Sequence, residues 1–206
     1  PAGDTTATGI PIHPVFSQPK DRAVCRQKHG LGNDRPVVLQ LAGGFGVGPI
    51  AKLYQALLAV ARPLEVVVIT GRNEAAKAQL EAITPPPRHR THILGFTTEI
   101  DELMAAADLV MSKPGGLTTS ETLARGAVMA IVNPIPGQES RNSDFLLENG
   151  AAIKINNLGT LSYKIGNLLD DSARLARLKA NVAQLARPQA AYEVVRRSLA
   201  LQRTRQ

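Results

Sequence analysis

The chain has 206 residues, of which 44% are hydrophobic and 20% are charged. This length and composition are typical of one soluble globular domain with a short extension, and they exclude collagen-like, coiled-coil and disordered proteins. Cys25 is the single cysteine, which excludes an internal disulfide and makes a reducing compartment the default. Because no apolar run approaches the roughly 20 residues that span a bilayer, and no signal-peptide pattern is visible, we expect a cytoplasmic protein.

The positive charge is concentrated at the C-terminal end. The chain has 24 Lys and Arg against 17 Asp and Glu, a net charge of +7. After residue 171 the only acid is Glu193, and the basic residues there are Arg174, Arg177, Lys179, Arg187, Arg196, Arg197, Arg203 and Arg205. The low aromatic content of 3% argues against single-strand stacking, so we expect no nucleic-acid partner. A basic tail of this kind is compatible with an anionic membrane surface or with simple solvation.

The predicted elements alternate between strands and helices. Residues 1–18 predict an extended lead-in or linker, because glycine and proline are frequent and no periodicity is visible. Short β-branched runs predict strands at 37–41, 66–70, 92–94, 109–111, 129–132 and 152–155. Amphipathic patterns predict helices at about 20–29, 49–61, 73–83, 99–106, 118–126, 139–148, 160–169, 172–186 and 189–201.

This alternation is typical of βαβ units, so we predict an α/β fold with a Rossmann-like doubly wound parallel sheet over 19–187. Residues 188–206 would then form a basic C-terminal helix or tail. Ligands of such sheets bind beyond the carboxyl ends of the strands, at the point where the strand order reverses.

A glycine-rich loop follows the first predicted strand. Its sequence is Gly43-Gly44-Phe45-Gly46-Val47-Gly48-Pro49, and a helical pattern begins directly after it. Glycines allow close backbone approach to a ligand, and the amides at a helix start favour an anion. Gly46-x-Gly48-x-x-Ala51 formally matches the dinucleotide fingerprint, but the second strand ends in Thr70-Gly71-Arg72 where an acid would hold the ribose. A nicotinamide site and a simple turn remain alternatives here.

A second loop follows the fourth predicted strand, with the sequence Lys113-Pro114-Gly115-Gly116-Leu117-Thr118-Thr119-Ser120-Glu121. Thr118 and Glu121 have the spacing of a capping box, which is one interpretation of both residues. The other is a diphosphate site at a helix N-terminus, with the Glu121 carboxylate positioned to accept hydrogen bonds from ribose hydroxyls.

The third segment, Asn133-Pro134-Ile135-Pro136-Gly137-Gln138-Glu139-Ser140-Arg141-Asn142, again joins a strand end to a helix. Gln138, Glu139 and Asn142 offer amide and carboxylate groups that suit sugar hydroxyls. A polar loop without a ligand is the alternative.

In this order and spacing, the three segments resemble the C-terminal, donor-binding half of GT-B, family 28-like glycosyltransferases. The resemblance is closest to monogalactosyldiacylglycerol synthases and processive diacylglycerol glucosyltransferases. It includes Gly9-Ile10-Pro11-Ile12, which corresponds to the linker between the two halves, and it runs from about Gly9 to Ala186.

The resemblance implies an inverting, metal-independent hexosyltransferase that uses UDP-galactose or UDP-glucose and needs no cofactor. The backbone near Phe96 would read uracil, and Glu121 would hold the ribose. The turns at 43–46 and 116–119 would bind the diphosphate, while Gln138, Glu139 and Asn142 would contact the donor sugar.

The resemblance also implies a preceding domain that binds the lipid acceptor, touches the membrane and supplies the general base, so the catalytic residues are unknown here. The chain begins with Pro1, and we expect a fragment of a peripheral membrane enzyme that turns over little or nothing. His13 in the linker is expected to be hydrogen-bonded within the fold or to face solvent, and not to be catalytic. A sugar-nucleotide epimerase and a non-catalytic UDP-sugar-binding or membrane-docking module remain alternatives.

Overall fold

Six strands form one parallel sheet, with helices on both faces. The computed structural model describes residues 5–42 and 49–203. The strands are β1 (Val37–Leu41), β2 (Glu65–Ile69), β3 (Arg90–Leu94), β4 (Leu109–Ser112), β5 (Val128–Val132) and β6 (Ala152–Ile155). Their order across the sheet is β3-β2-β1-β4-β5-β6, and every pairing is parallel. The predicted α/β doubly wound fold is confirmed.

The helices follow the predicted alternation. They are α1 (Arg22–Lys28), α2 (Ile50–Leu58), α3 (Glu74–Glu81), α4 (Ile100–Ala106), α5 (Gly116–Ala124), α6 (Gln138–Glu148), α7 (Leu161–Asp170), α8 (Ser172–Leu185) and α9 (Ala190–Arg203). Short 3-10 helices lie at Pro14–Ser17 and Leu158–Thr160. Within the described residues, no helix is both long and apolar enough to cross a membrane.

The sheet is buried on both faces because successive side chains of each strand point to opposite sides. Val38 and Val66 pack in one core with apolar residues of α2, α7 and α8, whereas Val37 and Leu39 pack in a second core with α4 and the lead-in. Cys25 is buried in the second core as a packing residue. The strand order reverses between β1 and β4, which places a crevice at their carboxyl ends.

β2 and β3 begin earlier than the hydrophobic pattern predicts, and the first residues are charged. Glu65 opens β2 although it is fully buried. Its carboxylate lies 2.7 Å from Nε2 of His92 and accepts a hydrogen bond from the amide of Gly32 at 3.3 Å. Burial of this charge is therefore offset by partners that come from elsewhere in the chain.

The two outer strands carry polar groups. On β3, Arg90 pairs with Asp34 at 3.0 Å. On β6, the backbone carbonyl of Lys154 accepts a hydrogen bond from Nζ of Lys164 at 2.7 Å.

The lead-in is fixed to the domain by Arg125, just after α5. Its guanidinium donates to the carbonyls of Val15 at 2.7 Å and Gln18 at 2.6 Å, pairs with Asp101 at 3.2 Å, and lies over the ring of Phe16. The Arg125 side chain is only 4% exposed. This arrangement connects the lead-in directly to α4 and α5.

α9 packs on the domain along one side only. Ala190 is buried, and the guanidinium of Arg197 donates to the Thr6 hydroxyl at 3.2 Å. Tyr192, Val195 and Leu199 lie at i, i+3 and i+7 and are exposed. The helix therefore presents an apolar stripe to its surroundings.

Candidate nucleotide-binding site

A pocket of about 190 Å³ lies at the carboxyl ends of β1 and β2, beside the point where the strand order reverses. Its floor contains Leu41 and Ile69, the last residues of these strands, and Ile100 and Met104 of α4 add an apolar wall. This wall could not be recognised from the sequence, because an apolar side of α4 is also what core packing requires. The remaining lining residues include Phe96, which follows β3, and Thr118 and Glu121 of α5.

Phe96 lies at the mouth of this pocket and is 64% exposed. The guanidinium carbon of Arg72 lies 5.5 Å from the centroid of its ring, a cation–π distance. Arg72 follows β2 at the position where a dinucleotide site would have its acid, and its contact with Phe96 was not predicted. The pair forms a flat wall that suits stacking of a base.

α5 begins at Gly116 with Gly115 as its N-cap, three residues earlier than the capping-box interpretation requires. That interpretation is wrong: Thr118 lies inside the first turn, where its carbonyl accepts a hydrogen bond from the Thr122 hydroxyl at 2.7 Å. The first bond along the helix runs from the Thr119 amide to the Gly115 carbonyl at 2.8 Å. The amides of residues 116–118 precede it and have no acceptor within the helix, which makes this end of α5 suited to an anion.

Glu121 lies one turn further along α5 and faces the same pocket as Thr118. Burial raises the pKa of its carboxyl above the usual 4.5. No hydrogen bond to this carboxylate occurs among the residues that the structure describes. A half-buried carboxylate without an internal partner is able to accept hydrogen bonds from a ligand.

His13 is exposed, as predicted, and its Nδ1 accepts a hydrogen bond from the Val15 amide at 3.2 Å.

Thr119 does not join Thr118 and Glu121. Its side chain leaves the opposite side of α5, where it lines a different cavity, and its amide is used within the helix. Of the predicted diphosphate-binding residues 116–119, residues 116–118 therefore remain as candidates in the part of the chain that the structure describes.

The start of α6 lies against the start of α5. The Asn142 side-chain amide donates to the Pro114 carbonyl at 2.8 Å, and the Glu139 carboxylate accepts a hydrogen bond from the Ile135 amide at 2.6 Å. A Cβ placed on Gly115 would lie 4.0 Å from a carboxylate oxygen of Glu139. Two of the predicted sugar-binding residues are thus adjacent to the predicted phosphate site. Gln138 is the first residue of α6, and its side chain lies outside the described part.

The predicted loop residues Gly43, Gly44, Phe45 and Gly46 also lie outside the described residues. Ala42, which precedes them, lines the pocket, and Pro49, which follows, caps α2. Among the described residues, no three His, Cys, Asp or Glu side chains cluster as metal ligands would.

Comparison with known protein families identifies the family of this chain. Residues 50–194 match the model of the glycosyltransferase family 28 C-terminal domain. The chain belongs to this family. The match includes the two loops that lead into α5 and α6, and it confirms the resemblance on which the site residues were assigned.

Among relatives, the chain is 35% identical over 183 residues to a "Processive diacylglycerol beta-glucosyltransferase" from Bacillus pumilus. The alignment covers 88% of this chain and 48% of that protein. The chain therefore spans about half the length of the curated relatives that it matches.

Solved structures show the same GT-B domain fold. Acinetobacter baumannii MurG has a TM-score of 0.68 at 23% identity, over 87% of this chain and 53% of that one. Anabaena Alr3699/HepE in complex with UDP-glucose has a TM-score of 0.65 at 18% identity, over 93% of this chain and 56% of that one. The predicted fold class, the C-terminal half of a GT-B fold, is confirmed.

Proposed function

We propose that this family 28 domain binds the UDP-sugar donor for an inverting, metal-independent transfer of a hexose to a diacylglycerol-type lipid. The observation that carries the proposal is the position of Glu121: a half-buried carboxylate in the pocket, one turn from the amides at the start of α5. A carboxylate suits two ribose hydroxyls, and the helix start suits a diphosphate.

The base would occupy the apolar pocket beside Phe96 and Ile100, with the ribose at Glu121. The diphosphate would then lie at residues 116–118, and the sugar would extend towards Glu139 and Asn142. Negative charge develops on the diphosphate as the sugar leaves, and amides that already point at it stabilise that charge without reorganisation. This role for the helix start is why we propose that no metal ion is required.

Family membership favours transfer over epimerisation. The processive diacylglycerol glucosyltransferases named among the relatives support a neutral lipid acceptor. UDP-glucose in the HepE structure supports a UDP-sugar donor, and UDP-galactose stays an equal candidate because both hexoses present hydroxyls to Glu139. Since relatives are about twice as long, we propose that the remaining half binds the acceptor and supplies the base.

Calorimetric titration with UDP in buffer containing EDTA tests the donor site, with GDP and NADH as controls. We expect saturable binding of UDP and weaker or absent binding of the other two. Binding of NADH without UDP would refute the proposal in favour of a dinucleotide site. A requirement for added Mg²⁺ or Mn²⁺ would refute metal independence alone.

We also propose that α9 makes peripheral contact with an anionic membrane surface. The exposed stripe of Tyr192, Val195 and Leu199 runs beside Arg196, whose side chain is 75% exposed. Apolar residues flanked by arginines are typical of helices that lie in a lipid interface. Co-sedimentation with phosphatidylglycerol vesicles should exceed that with phosphatidylcholine vesicles and should fall in Val195→Asp. Equal partitioning of the variant would contradict the proposed contact.

A further inference from the structure

Arg125 connects the two helices that line the nucleotide pocket. It is the C-cap of α5, and its amide donates to the carbonyl of Glu121 at 3.1 Å. Its guanidinium donates at 3.2 Å to Asp101 of α4, which directly follows Ile100 of the apolar pocket wall. One residue therefore joins the helix that carries Glu121 to the helix that carries the wall.

The ion pair between Arg125 and Asp101 is buried. The Arg125 side chain is 4% exposed and the Asp101 side chain is 5% exposed. Nζ of Lys20 lies 3.3 Å from the same carboxylate. Because taking two charges out of water offsets most of the free energy of their attraction, such a pair contributes little net stability. Breaking it leaves a buried charge uncompensated, so the pair fixes the relative position of the two helices that carry it.

A third segment, the lead-in, also fixes the guanidinium of Arg125. The carbonyls of Val15 and Gln18 accept its hydrogen bonds, and the ring centroid of Phe16 lies 5.2 Å from the guanidinium carbon. Phe16 is buried in the same core as Met104, which is a second residue of the pocket wall. The guanidinium is thus held by the lead-in and α4 while its backbone belongs to the end of α5.

A nucleoside diphosphate would bridge α4 and α5. In the proposed donor site the base lies against Ile100 of α4, whereas the ribose and the diphosphate lie along α5, at Glu121 and residues 116–118. The two ends of one ligand reinforce each other only if both helices are held at the correct separation before it binds. An error of about 1 Å in that separation would weaken binding without removing any contact residue.

We propose that Arg125 is a positioning residue of the donor site, which sets the spacing between the base wall on α4 and the diphosphate-binding start of α5. The inference rests on the proposed function, because it takes the ligand to be a nucleoside diphosphate. Within the described part of the chain, Arg125 does not line the pocket, so it acts through its bonds to Asp101 and Glu121. Arginine suits this role because its planar fork reaches a carboxylate and two carbonyls at once, whereas lysine has a single nitrogen.

The test compares a joined ligand with its separate parts. UDP would span both helices, uracil would reach only the base wall, and pyrophosphate would reach only the start of α5. Each is titrated into the ¹⁵N-labelled 206-residue chain and followed by amide NMR shifts. We expect shifts near residues 96–100 with uracil and near residues 116–118 with pyrophosphate. The spacing between the helices affects UDP alone, which a purely structural role of Arg125 would not do.

Arg125→Lys keeps the positive charge but cannot hold Asp101 and both lead-in carbonyls at once. Its Kd for UDP should rise about 10-fold, while the Kd values for uracil and pyrophosphate should change less than about 2-fold. Asp101→Asn keeps the shape and one oxygen that accepts from the guanidinium, so its Kd for UDP should rise about 3-fold. Arg177→Ala is the matched control, because Arg177 is exposed on α8, and it should leave all three affinities unchanged.

Urea unfolding shows which variants are folded, and if Arg125→Lys is not, Asp101→Asn decides by the same comparison. An unchanged Kd for UDP in the folded variant would overturn the inference. A loss of uracil or pyrophosphate affinity as large as the loss for UDP would also overturn it, because Arg125 would then support only one of the two helices. If the wild-type chain does not bind UDP, the donor site is refuted and this inference with it. If the wild-type chain binds UDP and only Glu121→Gln weakens it, this inference alone is refuted.

Discussion

Replacing Glu121 by glutamine distinguishes the effect of its half-buried carboxylate on stability from its effect on UDP binding. Because burial raises the pKa of Glu121, the ionised form is disfavoured in the folded chain relative to the unfolded one. The native state therefore binds more protons between the usual and the raised pKa, and the free energy of unfolding falls as pH rises through that interval. Glu121→Gln removes this loss, so at pH 7 the variant should be at least as stable as the wild-type chain.

UDP binding should change in the opposite direction. A hydrogen bond to a charged group contributes about 1 kcal/mol more than one to a neutral group. Two ribose hydroxyls on the Glu121 carboxylate would then lose about 2 kcal/mol in Glu121→Gln, or about 30-fold in Kd. The wild-type affinity should also fall as pH drops through the raised pKa, whereas the affinity of the variant should not show this step.

The assays are calorimetric titration with UDP from pH 4.5 to 8 and urea unfolding at the same pH values. Glu148→Gln is the control, because Glu148 is exposed at the last residue of α6. An unchanged Kd for UDP in a folded Glu121→Gln chain would refute the assignment of the ribose to this carboxylate. A large loss of stability at pH 7 would refute the argument from burial.

Three further substitutions test other parts of the structure. Arg125→Ala should lower the free energy of unfolding, measured in urea, by about 3 kcal/mol, because the lead-in loses its hydrogen bonds to this guanidinium. Arg177 is exposed, and an equal loss of stability in Arg177→Ala would contradict this explanation. Hydrogen bonds from Lys28 and other basic groups lower the pKa of Glu102 from 4.5 to about 2, so stability should be lost as pH falls through that range, and Glu102→Gln should flatten the profile. Arg72→Ala should weaken UDP binding about 2- to 5-fold by releasing Phe96, while Arg72→Lys should retain most of the affinity.

The order of strands and helices could be predicted because each element has its own hydrophobic period. The start of β2 could not be predicted in this way. Glu65 is charged, and its burial depends on His92, which lies 27 positions along the chain. A local pattern carries no information about such a distant partner.

The candidate site could be predicted in part for a topological reason. Phe96 follows β3, and Thr118 and Glu121 follow β4; the carboxyl ends of the strands of a parallel sheet meet at one edge. The predicted start of α5 was wrong because a capping box and a glycine cap are both compatible with this sequence. The direction of the Thr119 side chain was therefore not predicted either, and neither was its separation from Thr118 and Glu121.

The polar outer strands described above have a consequence for association. An open sheet edge offers unpaired backbone groups to other extended chains, and natural proteins protect such edges with charges. Two copies meeting along β3 would bring Arg90 of each copy towards the other and compete with its pairing to Asp34. On β6, a Lys154 carbonyl that already accepts from Lys164 has less to offer an incoming strand. Both edges of the sheet are thus protected against edge-to-edge aggregation, which matters when the domain is studied in isolation.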